Sequence, residues 1–209
     1  MKSTHRDILA ILDQCDRGKI LFPVDFRGLG SVTAIKMSLS RMAANDNLIR
    51  LAQGIYMKPQ RSRKNVDLAF LESIAQAIAK KDCVRIKATG NLAAYKLGLT
   101  AKMPSDLTYV TDGEPRDVQI EGHRIIFRST TPKKLQMKGT VSSLLIQLME
   151  ELGKGAIDAD MMNKMIGLLN KEDQNKLMHD MALASAWVYG VWYKSTKASL
   201  KIEDDKINN

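Results

Sequence analysis

The stretch SVTAIKMSLSRMAANDNLIRLAQGIYMK, residues 31–58, decides the fold of this chain. Ser31 is a helix N-cap by residue type, and the spacing after it predicts a helix running to about Asp46. At about 100° per residue, Val32, Ile35, Leu39 and Met42 fall on one face and are expected to pack inward. Thr33, Lys36, Met37, Ser40, Arg41 and Ala44 fall on the other. That outer face carries two cations and two hydroxyls without a carboxylate. Short hydroxyl side chains permit close approach to a major groove, and Lys and Arg reach phosphate or guanine. A face serving only solvation would more often mix both signs. Leu48 to Leu51 and Ile55 to Met57 then read as two short strands, with Ala52-Gln53-Gly54 as a loop whose Gly takes the left-handed position.

Upstream, Ile8, Leu9, Ile11 and Leu12 recur at helical spacing after Ser3 and Thr4, and Asp16-Arg17-Gly18 stops that helix. Pro23 suits the first turn of a short second helix, because its missing amide proton is not needed there. Helix, helix, helix and two-stranded ribbon is the order of a winged helix-turn-helix, predicted over residues 1–60. In this reading Thr33, Lys36, Met37, Ser40 and Arg41 meet bases or flanking phosphates, while Arg50, Gln53 and Lys58 hold the adjacent backbone. Arg61, Arg63 and Lys64 continue the basic strip into a linker. The leading alternative is that the same elements form a protein-docking module.

The charge distribution agrees with a polyanionic partner for the first third. The net charge is +9 over 209 residues. Residues 1–66 hold 12 Lys and Arg against 5 Asp, residues 67–140 hold 12 against 8 acidic residues, and residues 141–209 hold 8 against 10. A generic solubility charge would spread more evenly. No run of about 18 apolar residues is present, so no membrane span is expected. Nor does the start read as a signal peptide, since Asp7 and Asp13 interrupt its apolar residues. Cys15 and Cys83 make no disulfide framework and read as buried or idle thiols of a reducing, cytoplasmic protein.

Beyond the linker, residues 67–135 read as a small mixed α/β domain, and residues 140–200 as a helical C-terminal region, giving an α+β chain. DLAFLESIAQAIAKK and GNLAAYKLGLT are its helices; CVRIKA and LTYVT are strands; DVQIEG and HRIIFRST form a hairpin through Glu121-Gly122. Trp187, Tyr189, Trp192 and Tyr193 gather most of the large aromatics in one late helix, to pack inward or to face a partner or second copy. His5, His123 and His179 are dispersed, and no phosphate-binding or dinucleotide fingerprint is present. Asp106, Asp112, Glu114 and Asp117 could serve a metal-dependent nuclease, but TDGEPRD is also an ordinary turn. Catalytic residues, metal ligands and cofactors are therefore not expected.

Two blocks carry a resemblance. RGLGSVTAIKMSLSRMAANDNLIRLAQGIYMKP, with Gly30-Ser31, Leu39-Ser40-Arg41-Met42 and Arg50-Leu51-Ala52-Gln53-Gly54-Ile55-Tyr56, resembles the N-terminal winged helix of AbiEi-like antitoxins and their short relatives. ATGNLAAYKLGLTAKMPSDLTYVTDGEPRDVQIEGHRIIFR is similar to their next domain. The resemblance spans about residues 15–135 and stops before the helical end. It implies the antitoxin of a type IV toxin-antitoxin pair, a repressor binding double-stranded DNA at its own promoter. It also implies counteraction of a nucleotidyltransferase toxin without a stable complex, and a homodimer is possible. The alternative is a stand-alone regulator without antitoxin activity.

Overall fold

The computed structural model describes residues 3–60 and 66–207, with the side chains of 197–207 left aside. The chain is α+β and divides into two compact units, residues 1–84 with 117–125, and residues 85–116 with 126–209. Among the described residues, no helix is long and apolar enough to cross a membrane.

The first unit begins with α1, Thr4–Gln14, which buries Ile8 and Leu12. A two-residue strand β1, Ile20–Leu21, leads into a 3-10 turn over Pro23–Phe26. Pro23 does open that turn, and the Asp25 carboxylate accepts from the Phe22 amide at 2.8 Å, closing it. Helix α2, Val32–Ala44, starts where Ser31 predicts, with the Ser31 hydroxyl accepting from the Ala34 amide at 3.2 Å. The hairpin follows as β2, Ile49–Ala52, and β3, Ile55–Met57. Gly54, at φ 72°, takes the left-handed position that the tight turn requires.

The sheet here has three strands in the order β1-β3-β2, all antiparallel. Strand β1 is a finding the sequence reading did not contain: Ile20 and Leu21 pair with Met57 and Tyr56. Two residues offer no alternation to detect, and the pairing exists only once β3 is in place. Ile8, Leu12, Phe26, Ile35, Leu39, Met42, Leu48 and Tyr56 form one buried cluster with Leu21. Gly30 permits the closest approach in this unit, because a Cβ there would sit 2.3 Å from the Thr4 hydroxyl, which donates to the Leu29 carbonyl at 3.0 Å.

Helix α3, Leu68–Asp82, is capped by Asp67, whose carboxylate accepts from the Phe70 amide at 2.8 Å. It buries Leu71, Ile74, Ala75, Ile78 and Ala79. The sequence places α3 in the middle domain beginning at 67; the structure groups it with the first unit. A helix boundary in sequence marks where the chain turns, while unit membership depends on which surface the apolar stripe covers.

The chain continues with β4, Ile86–Ala88; α4, Gly90–Lys96; β5, Asp106–Thr111; β6, Arg116–Ile120; and β7, His123–Ser129. The four-stranded sheet runs β4-β5-β7-β6, and residues 117–125 of its last hairpin group with the first unit. The hairpin turns at Glu121 and Gly122, both at positive φ, as the sequence predicts. Five helices follow: α5, Pro132–Leu135; α6, Ser142–Leu152; α7, Ala159–Leu169; α8, Gln174–Leu183; and α9, Ala186–Ile207. Ala93 of α4 and Met137 share one core with Leu145, Met149, Met165, Leu169, Leu177, Val188 and Trp192. The divisions at 67–135 and 140–200 therefore do not mark separate cores. The apolar stripe of α6 is covered partly by α4, so neither segment buries its face alone.

Candidate nucleic-acid interface

Helix α2 sorts its side chains by a periodicity close to the expected one. Ile35, Ser38, Leu39 and Met42 are buried. Thr33, Lys36, Met37, Ser40 and Arg41 are all exposed, together with Ala44. Among the described residues, neither Lys36 nor Arg41 is paired with a carboxylate. Five of the eight residues expected to bind DNA thus share one open helical face. Val32 corrects the sequence reading: it is 65% exposed rather than packed inward. Val32 is the first residue of α2 and lies at the edge of the Ile35, Leu39 and Met42 stripe, roughly 50° from its centre at about 100° per residue. With Met37 at 50% exposure, it adds apolar surface to a cationic face.

Arg50 and Gln53 are also exposed, Arg50 on β2 opposite Tyr56 and Gln53 at the turn between the strands. The pairing shifts register between Arg50 and Ala52, so the ribbon carries a bulge beside the arginine. Lys58 departs from its expected role. Its Nζ donates to three carbonyls, those of Leu12 at 2.5 Å, Cys15 at 2.6 Å and Asp13 at 3.3 Å. These are carbonyls at or just beyond the end of α1, where a helix leaves acceptors without partners and concentrates negative dipole. Lys58 is a C-terminal clamp for α1, and a phosphate would have to compete with three acceptors already in place. Composition could not reveal this, because the acceptors lie more than forty residues away. Arg61, Arg63 and Lys64 lie outside the described residues.

Of the middle carboxylates, Asp112 is committed to structure. Asp112 grips Arg85 twice: Oδ1 accepts from the backbone amide and Oδ2 from Nε, each at 2.8 Å. The bond from the Arg85 side chain and then that from its amide hold the Asp112 carboxyl below its usual range. The Thr111 hydroxyl accepts from the Gly113 amide at 3.0 Å, so TDG is built as a turn. Among the described residues, no three His, Cys, Asp or Glu side chains gather closely enough to hold a metal ion.

A denser carboxylate pair, not singled out in the sequence, organises the start of α6. Buried Asp180 accepts from the Lys138 and Gly139 amides at 2.7 and 2.8 Å and from the Ser142 hydroxyl at 2.6 Å. The His179 ring stands 3.0 Å away. Glu172 accepts from the Val141 and Ser142 amides at 2.6 and 3.0 Å. Burial by itself would raise both carboxyl groups, but these donors outweigh it and hold both below the ordinary range. Lys87, whose Nζ donates to the Met137 carbonyl, is pushed below the usual lysine range by burial, with Asp180 opposing and Arg85 adding to the shift. Glu172 thus satisfies the Ser142 amide, which the first turn of α6 leaves without a helical partner, and Asp180 holds the segment that leads into the helix.

A family model matches residues 7–177, described as a family of unknown function, DUF6088. The match spans both units. No curated protein matches the chain.

Proposed function

The chain belongs to DUF6088, a family of unknown function, and we propose from its own residues that it is a sequence-specific DNA-binding repressor of the AbiEi-like antitoxin type. Its first unit acts as a winged helix-turn-helix, with α2 as the reading helix and the β2–β3 ribbon as the wing. The single observation that carries this reading is the outer face of α2: five exposed side chains with two unpaired cations and no carboxylate. Arg41 is suited to bidentate contact with guanine, Lys36 to phosphate, and Met37 with Val32 to thymine methyl groups. Thr33 and Ser40 are short enough to let the helix backbone approach. Arg50 and Gln53 contact backbone beside the groove.

The DNA partner is the protein's own promoter, and the chain counteracts a nucleotidyltransferase toxin without forming a stable complex with it. Support for this second part is the two-block sequence similarity. The test of DNA reading is fluorescence anisotropy on the promoter and on a random duplex of equal length. Preference of at least about a thousandfold for the promoter is expected of a specific reader. Equal affinity for both duplexes would overturn specific repression. The test of antitoxicity is growth rescue: co-expression of this chain with a nucleotidyltransferase toxin should restore growth, and continued arrest would refute that part alone.

A second reading is favoured by one observation. Val32 and Met37, 65% and 50% exposed, leave apolar surface on α2 on either side of Lys36, which also suits a protein-docking module. A stable complex with a protein partner that tolerates Arg41→Ala and Arg50→Ala, combined with absent duplex binding, would select that reading.

A further inference from the structure

The first unit contains a cavity that DNA reading does not use. It is a half-open cleft of about 440 Å³, within the roughly 300–1,000 Å³ typical of small-ligand pockets. Its walls come from α1, β1, the 3-10 turn and α3, all within that unit. Ile11, 39% exposed, supplies the open apolar surface, with the buried Phe22 and Phe26 rings behind it at 5% and 1% exposure. Three lysines, Lys19, Lys80 and Lys81, share that lining with one carboxylate, Asp25. The Asp25 carboxylate is already engaged by the Phe22 amide at 2.8 Å. Lys81 stands over the Phe22 ring, 5.3 Å from its centroid, and pairs with Asp82 at 2.8 Å. Lys19 and Lys80 are exposed and, among the described residues, pair with no carboxylate.

We propose that this cavity binds a small amphipathic anion, its apolar body against Ile11 and the phenylalanine walls and its charged head between Lys19 and Lys80. The lining pairs hydrophobic area with cationic charge in excess of the carboxylate available to it, which is complementary to a carboxylate or phosphate carried on an aliphatic or aromatic body. A neutral apolar ligand would leave the lysine heads without a partner. A purely inorganic anion would leave the apolar walls wet. The walls include the segment leading into α2, so occupancy would bear on the same unit that carries the reading helix. Binding itself is independent of the DNA proposal and is measured without DNA.

The experiment is a titration of the full chain with 1-anilinonaphthalene-8-sulfonate, followed by its fluorescence. Saturable binding at one site is expected, weakened roughly tenfold in the Lys19→Glu, Lys80→Glu double variant, as two lost surface charge contacts and two new repulsions would give. Circular dichroism should show that variant folded, and Lys164→Glu, in the second unit, should bind as the unaltered chain does. Competition by decanoate assigns an acyl carboxylate, and competition by phenyl phosphate assigns an aryl phosphate. Probe binding that ignores the double charge reversal, displacement by neither anion, or displacement by decanol as readily as by decanoate would each overturn the proposal.

Discussion

Replacing Lys58 with methionine separates a structural cation from a DNA-contacting one. The substitution keeps an unbranched apolar stem and deletes the ammonium that donates to the Leu12, Cys15 and Asp13 carbonyls. The two short bonds dominate. A hydrogen bond involving a charged group contributes roughly 1.5–3 kcal/mol when well shielded, and Lys58 is only half-buried. Water can replace part of each bond, so about 1 kcal/mol apiece is reasonable, or ~2 kcal/mol for the residue. The favourable placement of a cation at a helix C-terminus is contained within that figure. For a unit of this size, ~2 kcal/mol corresponds to a melting temperature lowered by roughly 8–16 °C. Duplex affinity of the folded variant, measured well below its melting point, should keep the salt dependence of the parent. Calorimetry and a salt series of anisotropy titrations supply both readouts. An unchanged melting temperature, together with a slope of log affinity against log salt shallower by about 0.9, would show Lys58 gripping phosphate and refute the clamp.

Arg41→Ala should behave in the opposite way, leaving the melting temperature within about 2 °C while costing roughly 1–3 kcal/mol of discrimination against a wrong base pair. Operator variants in the same anisotropy assay check this. Lys36→Ala should weaken all duplexes alike and flatten the salt slope by about 0.9. Asp180 and Glu172 have carboxyl groups held below their unfolded-state values, so the stability they contribute is complete above the unfolded range near pH 4 and declines as pH falls through the lower folded values. Urea midpoints for the second unit should therefore drop between pH 5 and 3. Asp180→Asn should reduce that drop while costing about 2–4 kcal/mol at pH 7, because an amide nitrogen would face a donor. Gly30→Ala should destabilise the first unit by about 1–3 kcal/mol through collision with Thr4, detectable as a lower urea midpoint.

The α2 helix and its ribbon were legible because both obey short periods. The Ser31 cap, the Ile35, Leu39 and Met42 stripe and the Gly54 turn each depend on residues within a few positions of one another. The same locality exposed Thr33, Lys36, Met37, Ser40 and Arg41 as one face before any coordinates. Val32 misled because an apolar residue at the edge of a stripe satisfies the pattern without touching the core.

By itself the sequence determined the α+β class, the longer helices, the two hairpins and the carboxylate-free side of α2, since these follow from local spacing and side-chain type. Only the tertiary structure decided that Lys58 clamps α1, that β1 pairs with β3, that α3 groups with the first unit, and that Asp180 and Glu172 seat α6. Each of those depends on partners distant along the chain. A cation, a short strand or a buried carboxylate carries no mark of its acceptor until folding brings the two within hydrogen-bonding distance.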